Sequence, residues 1–207
     1  MTESKTAAGP ASQYRELTVP GAWEFTPRQF GDDRGVFLEW FREPGFSEVT
    51  GRSLDLQQAN CSVSAAGVLR GVHFADVPPG QAKYVTCVKG AVLDVAVDLR
   101  VGSPTFGQWD SVLLDDVDRR AIFLSEGLGH AFVSLEDDST VVYLCSTSYA
   151  PEREHGVHPL DPDLAIDWPT VARDGSPLTL TLSDKDTVAP SLAAAIATGL
   201  LPTFGEG

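Results

Sequence analysis

The sequence predicts an all-β protein, folded as a sandwich or closed barrel. Short runs of β-branched and aromatic residues recur at roughly 8 to 12-residue spacing, and each is bounded by Gly, Pro or Asp. No Rossmann-type glycine turn or internal repeat is present, and only two short stretches have helical character.

In chain order, residues 1–13 are small and polar and are expected to form a flexible tail. Residues 14–207 are expected to form one domain. Strands are predicted at Trp23 to Phe30, Val36 to Phe41, Gln57 to Ser64, Val68 to Phe74, Lys83 to Val88 and Ala91 to Leu99. The series continues with Trp109 to Leu114, Ala121 to Leu124, Ala131 to Leu135 and Thr140 to Ser146. Turn clusters such as Val77-Pro-Pro-Gly80 and Glu136-Asp-Asp138 punctuate it. Phe46 to Gly51 reads as a short helix. Ser191 to Gly199 reads as another, opened by an N-cap serine after Pro190 and closed by glycine. The Pro, Asp and Thr-rich stretch from Asp161 to Asp186 suggests a C-terminal segment that wraps the sheets and leads into that helix.

Fifteen Lys and Arg against twenty-nine Asp and Glu leave a net charge of −14. That sign opposes neutralisation of a nucleic-acid backbone, so no nucleic-acid partner is expected. An anionic ligand must instead meet a few cations focused in a pocket. Cys61, Cys87 and Cys145 are far apart and odd in number, which reads as free thiols in a reducing compartment. No secretory h-region or membrane-length apolar run is visible, so a cytoplasmic protein without membrane association is expected.

The four histidines are the natural candidates for chemistry. His73 ends the strand Gly67-Val-Leu-Arg-Gly-Val-His-Phe74. Regular alternation there would put Leu69, Gly71 and His73 on one face, with Arg70, Val72 and Phe74 on the other. Gly71 marks a close approach of ligand or backbone. From this window alone, His73 is either a satisfied interior histidine or a base facing a ligand. His130 follows a glycine-rich turn and suits a barrel mouth, whereas His155 and His158 read as surface residues. A metal-binding cupin pairs two histidines one residue apart with an acidic ligand. Here Ala75 and Lys83 occupy those places, and an ammonium repels a divalent cation. A metal-free site with histidine as base is the better reading.

Six blocks carry a resemblance. They are Gly67 to Phe74, Pro79-Gly-Gln-Ala-Lys-Tyr84, Val97 to Gly107, Gly127-Leu-Gly-His-Ala-Phe132, Tyr143-Leu-Cys-Ser146 and Asp161-Pro-Asp-Leu-Ala-Ile-Asp-Trp-Pro169. In this order they resemble the dTDP-4-dehydrorhamnose 3,5-epimerase family of nucleotide-sugar cupins, across roughly Leu17 to Pro202. The resemblance implies a cupin (jelly-roll) β-sandwich, a homodimer, a dTDP-4-keto-6-deoxyhexose substrate, and no metal or other cofactor. It also implies epimerisation through protons alpha to the C4 ketone. His73 resembles the base, Asp186 the carboxylate that orients it, Lys83 the partner of the C4 oxygen and Tyr143 the opposing acid. Asp184 rivals Asp186 at two residues' distance. Arg70 falls at the pyrophosphate contact and Lys185 near another basic contact. Arg34, Glu39, Gln58 and Asn60 match positions near the nucleotide, part of which comes from the neighbouring subunit in the family. Tyr149 resembles the aromatic that stacks on thymine, Glu154 a nearby polar contact, and His130 a histidine contacting the sugar. A 3-monoepimerase, a non-catalytic sugar-binding cupin and a metal-dependent cupin are the alternatives.

Overall fold

The protein is described by a computed structural model covering residues 12–205. Thirteen strands make two facing antiparallel sheets and a separate hairpin. The strands are β1 (Gln13–Glu16), β2 (Ala22–Thr26), β3 (Gln29–Asp32), β4 (Gly35–Leu38), β5 (Gln58–Ser64), β6 (Leu69–Ala75) and β7 (Lys83–Lys89). They continue with β8 (Ala91–Asp98), β9 (Trp109–Asp115), β10 (Ala121–Leu124), β11 (Leu128–Ser134), β12 (Ser139–Cys145) and β13 (Glu154–Gly156). One sheet has six strands in the order β1-β2-β10-β7-β12-β5, and the other five in the order β13-β6-β11-β8-β9. The helices α1 (Glu43–Thr50), α2 (Asp184–Thr187) and α3 (Leu192–Ala197) are short. This is a two-sheet sandwich, one of the two architectures the strand pattern predicts and the cupin-like one the resemblance implies.

The interior between the sheets holds Val85, Cys87, Val92, Ala96, Val112, Leu114, Ile122, Phe132 and Val141. The opposite face of the five-stranded sheet presents Leu69, Val72, Phe74, Val95, Val97, Ala131 and Val133. The C-terminal segment covers it with Leu164, Trp168, Leu192, Ala195 and Leu201. This sheet is therefore apolar on both faces, so its strands read as nearly continuous hydrophobic runs rather than alternating ones.

Several boundaries differ from expectation for physical reasons. The run from Trp23 breaks at Pro27, whose missing N–H ends β2, and Gln29 to Leu38 folds away as the β3–β4 hairpin. Trp40 and Phe41 leave the strand to pack on Tyr84, whose hydroxyl donates to the Trp40 carbonyl at 2.7 Å. Strand β11 begins at Leu128 rather than Ala131. A side chain at Gly129 would lie 2.6 Å from a methyl of Val72, so glycine here answers close packing rather than a turn. Strands β1 and β13 and helix α2 are too short to carry a periodic signal. Residues 1–11 of the expected tail lie outside the described residues, and Gln13 already belongs to β1.

Candidate active site

His73 and Arg70 line the same cavity, although regular alternation would separate them. Opposite β6, His130 pairs with His73 and Phe132 with Arg70. Three steps along β6 thus pass against two along β11. This bulge rotates Arg70 onto the face of His73, while Leu69, Val72 and Phe74 face the outer core. Gly71 lies within the bulge, and a Cβ there would come 2.3 Å from the Ala131 Cβ. The close approach marked by Gly71 is therefore to the backbone of β11.

The cavity has a volume of about 420 Å³, and a further lobe of about 250 Å³ shares His73, Lys83, Tyr143 and Lys185 with it. On one wall, β6 supplies His73 and Arg70, and β11 supplies His130 and Phe132. The other wall comes from the six-stranded sheet, with Lys83 on β7, Tyr143 on β12 and Asn60 on β5. Register alignment places Val85, Tyr143 and Asn60 in one row, flanked by a row of Lys83, Cys145 and Gln58.

Two His–Asp pairs stand in the first wall. His73 Nε2 lies 2.6 Å from Asp186 Oδ1, on α2 of the C-terminal segment. The Asp186 backbone N–H donates to Ser183 Oγ at 3.1 Å, a helix cap that fixes the carboxylate. Burial pushes the Asp186 carboxyl up. Its bonds with His73, Ser183 and the Gly71 backbone outweigh that push and hold it below the usual carboxylate value. Asp184, the rival, is exposed. In the second pair His130 Nε2 sits 2.9 Å from both oxygens of Asp94, which is fully buried on β8. Here burial dominates and raises the carboxyl, against the opposing pull of His130 and Lys83.

Burial lowers the Lys83 ammonium from its ordinary value and Lys185 adds to this, while Glu154, Cys145 and Asp94 oppose it. Burial raises the Tyr143 phenol, so it keeps its proton at neutral pH. Arg70, Lys83 and Lys185 form no ion pair with a carboxylate among the described residues. Three uncommitted cations thus face one cavity in an acidic chain, the arrangement a diphosphate needs. The second lobe adds Gln58, Asn60, Gln81, Tyr149 and Glu154, with Gln58 Oε1 accepting from the Tyr149 N–H at 2.9 Å.

Arg34 and Glu39 do not join this cavity. Arg34 sits at the tip of the β3–β4 hairpin, 90% exposed and paired with Asp32, and Glu39 borders a separate aromatic pocket. His155 and His158 are half-buried rather than on the open surface. His155 bonds Asp76 at 2.7 Å, and His158 Nδ1 accepts from the Leu160 N–H. Asp94 is the site residue that sequence reasoning missed. Its signal was a carboxylate inside the otherwise apolar run Ala91-Val-Leu-Asp-Val-Ala-Val97.

The family profile for dTDP-4-dehydrorhamnose 3,5-epimerase matches residues 16–194. The chain belongs to this family. It is 64% identical over 192 residues to a dTDP-4-dehydrorhamnose 3,5-epimerase of Mycolicibacterium smegmatis, covering 93% of this chain and 92% of the relative. It is also 60% identical over 190 residues to a dTDP-4-dehydrorhamnose 3-epimerase of Streptomyces niveus, covering 92% and 88%. The solved structure of the Mycobacterium tuberculosis rmlC epimerase superposes with a TM-score of 0.89 at 60% identity, covering 93% of this chain and 94% of that one. An epimerase of this family is an isomerase.

Proposed function

We propose that this chain inverts C3 and C5 of dTDP-4-dehydro-6-deoxy-D-glucose, giving dTDP-4-dehydro-L-rhamnose. The observation that carries this reading is that His73 and Tyr143 project into one cavity from opposite sheets. A hexose between them meets a base on one face and a proton donor on the other. The protons on C3 and C5 are acidic because each carbon adjoins the C4 ketone. His73 takes one of them, forming an enolate, and Asp186 stabilises the resulting imidazolium. Negative charge gathers on the C4 oxygen, where the Lys83 ammonium meets it. Tyr143 returns a proton to the opposite face, inverting the centre, and solvent exchange resets both groups before the second carbon reacts. No bond to a metal or redox group is needed in these steps.

Arg70 and Lys185 would hold the diphosphate, and Tyr149, Glu154, Gln58 and Asn60 the nucleotide, with His130 against the sugar. Arg34 and Glu39 fit the same reading through a homodimer, in which one protomer's hairpin reaches the partner's nucleotide. The hairpin's exposed Val36 and Phe37 supply an apolar surface for that contact. The setting is a cytoplasmic enzyme with neither nucleic-acid nor membrane partner, and among the described residues no helix is long and apolar enough to cross a membrane.

Incubation with dTDP-4-keto-6-deoxyglucose in D₂O, with deuterium located by NMR, tests the reading. Label at both C3 and C5 is expected. Label at C3 alone would make the chain a 3-monoepimerase, as the Streptomyces niveus relative is named. Absence of label would leave a sugar-binding protein.

A further inference from the structure

Four half-buried side chains with amide or carboxylate oxygens line the second lobe of the cavity: Gln58, Asn60, Gln81 and Glu154. In the first two, the oxygen already holds a protein donor. Gln58 Oε1 accepts from the Tyr149 N–H at 2.9 Å, and Asn60 Oδ1 accepts from the Gln58 amide at 2.8 Å. Gln81 differs from both. Its Nε2 donates to the Thr147 carbonyl at 3.1 Å, and because a carbonyl can only accept, this bond fixes which end of the amide is nitrogen. The other end, Oε1, holds no donor among the described residues and is not sealed inside the protein, so it stays open to a ligand.

The backbone sets Gln81 on the cavity side. Past the pairing of Lys83 with Cys145, the ladder between β7 and β12 runs on, with the Ser146 N–H donating to the Ala82 carbonyl at 3.0 Å. Gln81 is therefore the next position after Lys83 on the same face, about 7 Å along the chain, while Ala82 and Tyr84 turn outward into the cluster of Phe25 and Phe46. The turn is held on both flanks. The Ala82 N–H donates to Ser146 Oγ at 2.8 Å, and Thr147 Oγ1 donates to the Gly80 carbonyl at 3.0 Å. Gln81 thus carries a fixed, unmatched acceptor among the residues proposed to hold the nucleotide, and its partner must be a donor. The phosphate oxygens of a dTDP-hexose only accept, and its thymidine has two donors, the N3–H of thymine and the 3′-hydroxyl of deoxyribose. We propose that Gln81 is a nucleotide-binding residue whose side-chain carbonyl accepts a hydrogen bond from one of these two groups. This assignment rests on the dTDP-hexose reading above and deepens it.

Calorimetric binding of dTDP, N3-methyl-dTDP and 3′-deoxy-dTDP to wild type and Gln81→Leu tests this. Loss of one neutral hydrogen bond should raise the Kd of the variant for dTDP roughly 3- to 10-fold. Its kcat on dTDP-4-keto-6-deoxyglucose should stay within about twofold, because a contact to the nucleoside is made equally in ground and transition states. With the analogue that lacks the bonded donor, the penalty should disappear: N3-methyl-dTDP if the partner is the base, 3′-deoxy-dTDP if it is the ribose. A penalty of the same size on all three ligands would make Gln81 a structural residue and overturn the assignment, as would a Kd for dTDP within twofold of wild type. Wild type alone gives a second check. It should bind at least one analogue at least 3-fold more weakly than dTDP, and full affinity for both would overturn the assignment whatever the variant does. Wild-type protein that binds no dTDP would defeat the functional reading itself, a result distinct from dTDP binding that ignores Gln81.

Discussion

The two His–Asp pairs in the cavity look alike in distance and differ in where their carboxylates come from. Asp94 is built into the middle of β8, wholly inaccessible, and grips His130 through both oxygens. Asp186 arrives on a four-residue helix of the C-terminal segment and touches His73 through one oxygen, leaving 31% of the His73 side chain accessible. The electrostatics follow from that difference. Burial wins at Asp94 and raises its carboxyl, whereas hydrogen bonds win at Asp186 and lower it. A histidine held by a charged carboxylate yet open to the cavity can accept a proton from a ligand. One clamped between two carboxylate oxygens is suited to holding a fixed position.

If that contrast is correct, replacing the two histidines should have unequal consequences. His73→Asn should reduce deuterium exchange at both C3 and C5 by at least roughly 10²- to 10⁴-fold, the range for a positioned base. Binding of dTDP, measured calorimetrically, should stay within several-fold of wild type. Substantial exchange in that variant, or a larger catalytic loss in His130→Asn, would exchange the roles of the two pairs.

Lys83 belongs to the facing sheet and feels the charge of Asp94. Lys83→Ala should lower kcat by roughly 10²- to 10³-fold by stripping the enolate of its charge partner. Near-normal turnover would remove Lys83 from the reacting oxygen. Tyr143→Phe keeps the ring and removes only the acid. Formation of the doubly inverted product should fall by about 10²-fold, while His73 still washes deuterium into at least one carbon. Full double inversion by this variant would assign the proton to water or another side chain.

Stability against pH sharpens the comparison further, because the two carboxylates carry opposite signs. The Asp186 carboxyl lies below its unfolded value, so its contribution is present above the ordinary carboxylate range and is lost as pH falls through the folded value. The Asp94 carboxyl lies above its unfolded value, so the fold loses stability as pH rises from that range through the folded value. Melting temperatures from about pH 3 to 7 should therefore show Asp186→Asn most costly at neutral pH. For Asp94→Asn, wild type should hold its larger advantage in acid. Parallel curves for the two variants would mean that the environments do not differ as described. The smallest expected effect is that of a chelator. Prolonged EDTA treatment should leave turnover unchanged, since Lys83 stands where a metal cupin needs an acidic ligand. Loss restored by a divalent ion would contradict it.

Much of the sandwich was legible in the sequence because a short β-branched run bounded by Gly, Pro or Asp states a strand locally. The family was likewise legible, through ordered blocks that resemble a family of nucleotide-sugar epimerases and that point to His73, Lys83, Tyr143 and Asp186. Strands β1 and β13 and helix α2 were not, since three or four residues carry too little period to detect. Neither was the shared face of Arg70 and His73. Alternation is a property of one strand, whereas the bulge that breaks it depends on the register of β6 against β11. The resemblance favours Asp186 over Asp184, and the fold agrees with that choice in setting Asp186 against His73 while Asp184 is exposed. Local chemistry is written along the chain. Which side chains share a cavity is decided by pairings between residues as far apart as His73 and Asp186, and those exist only once the sheets and the C-terminal segment have packed together.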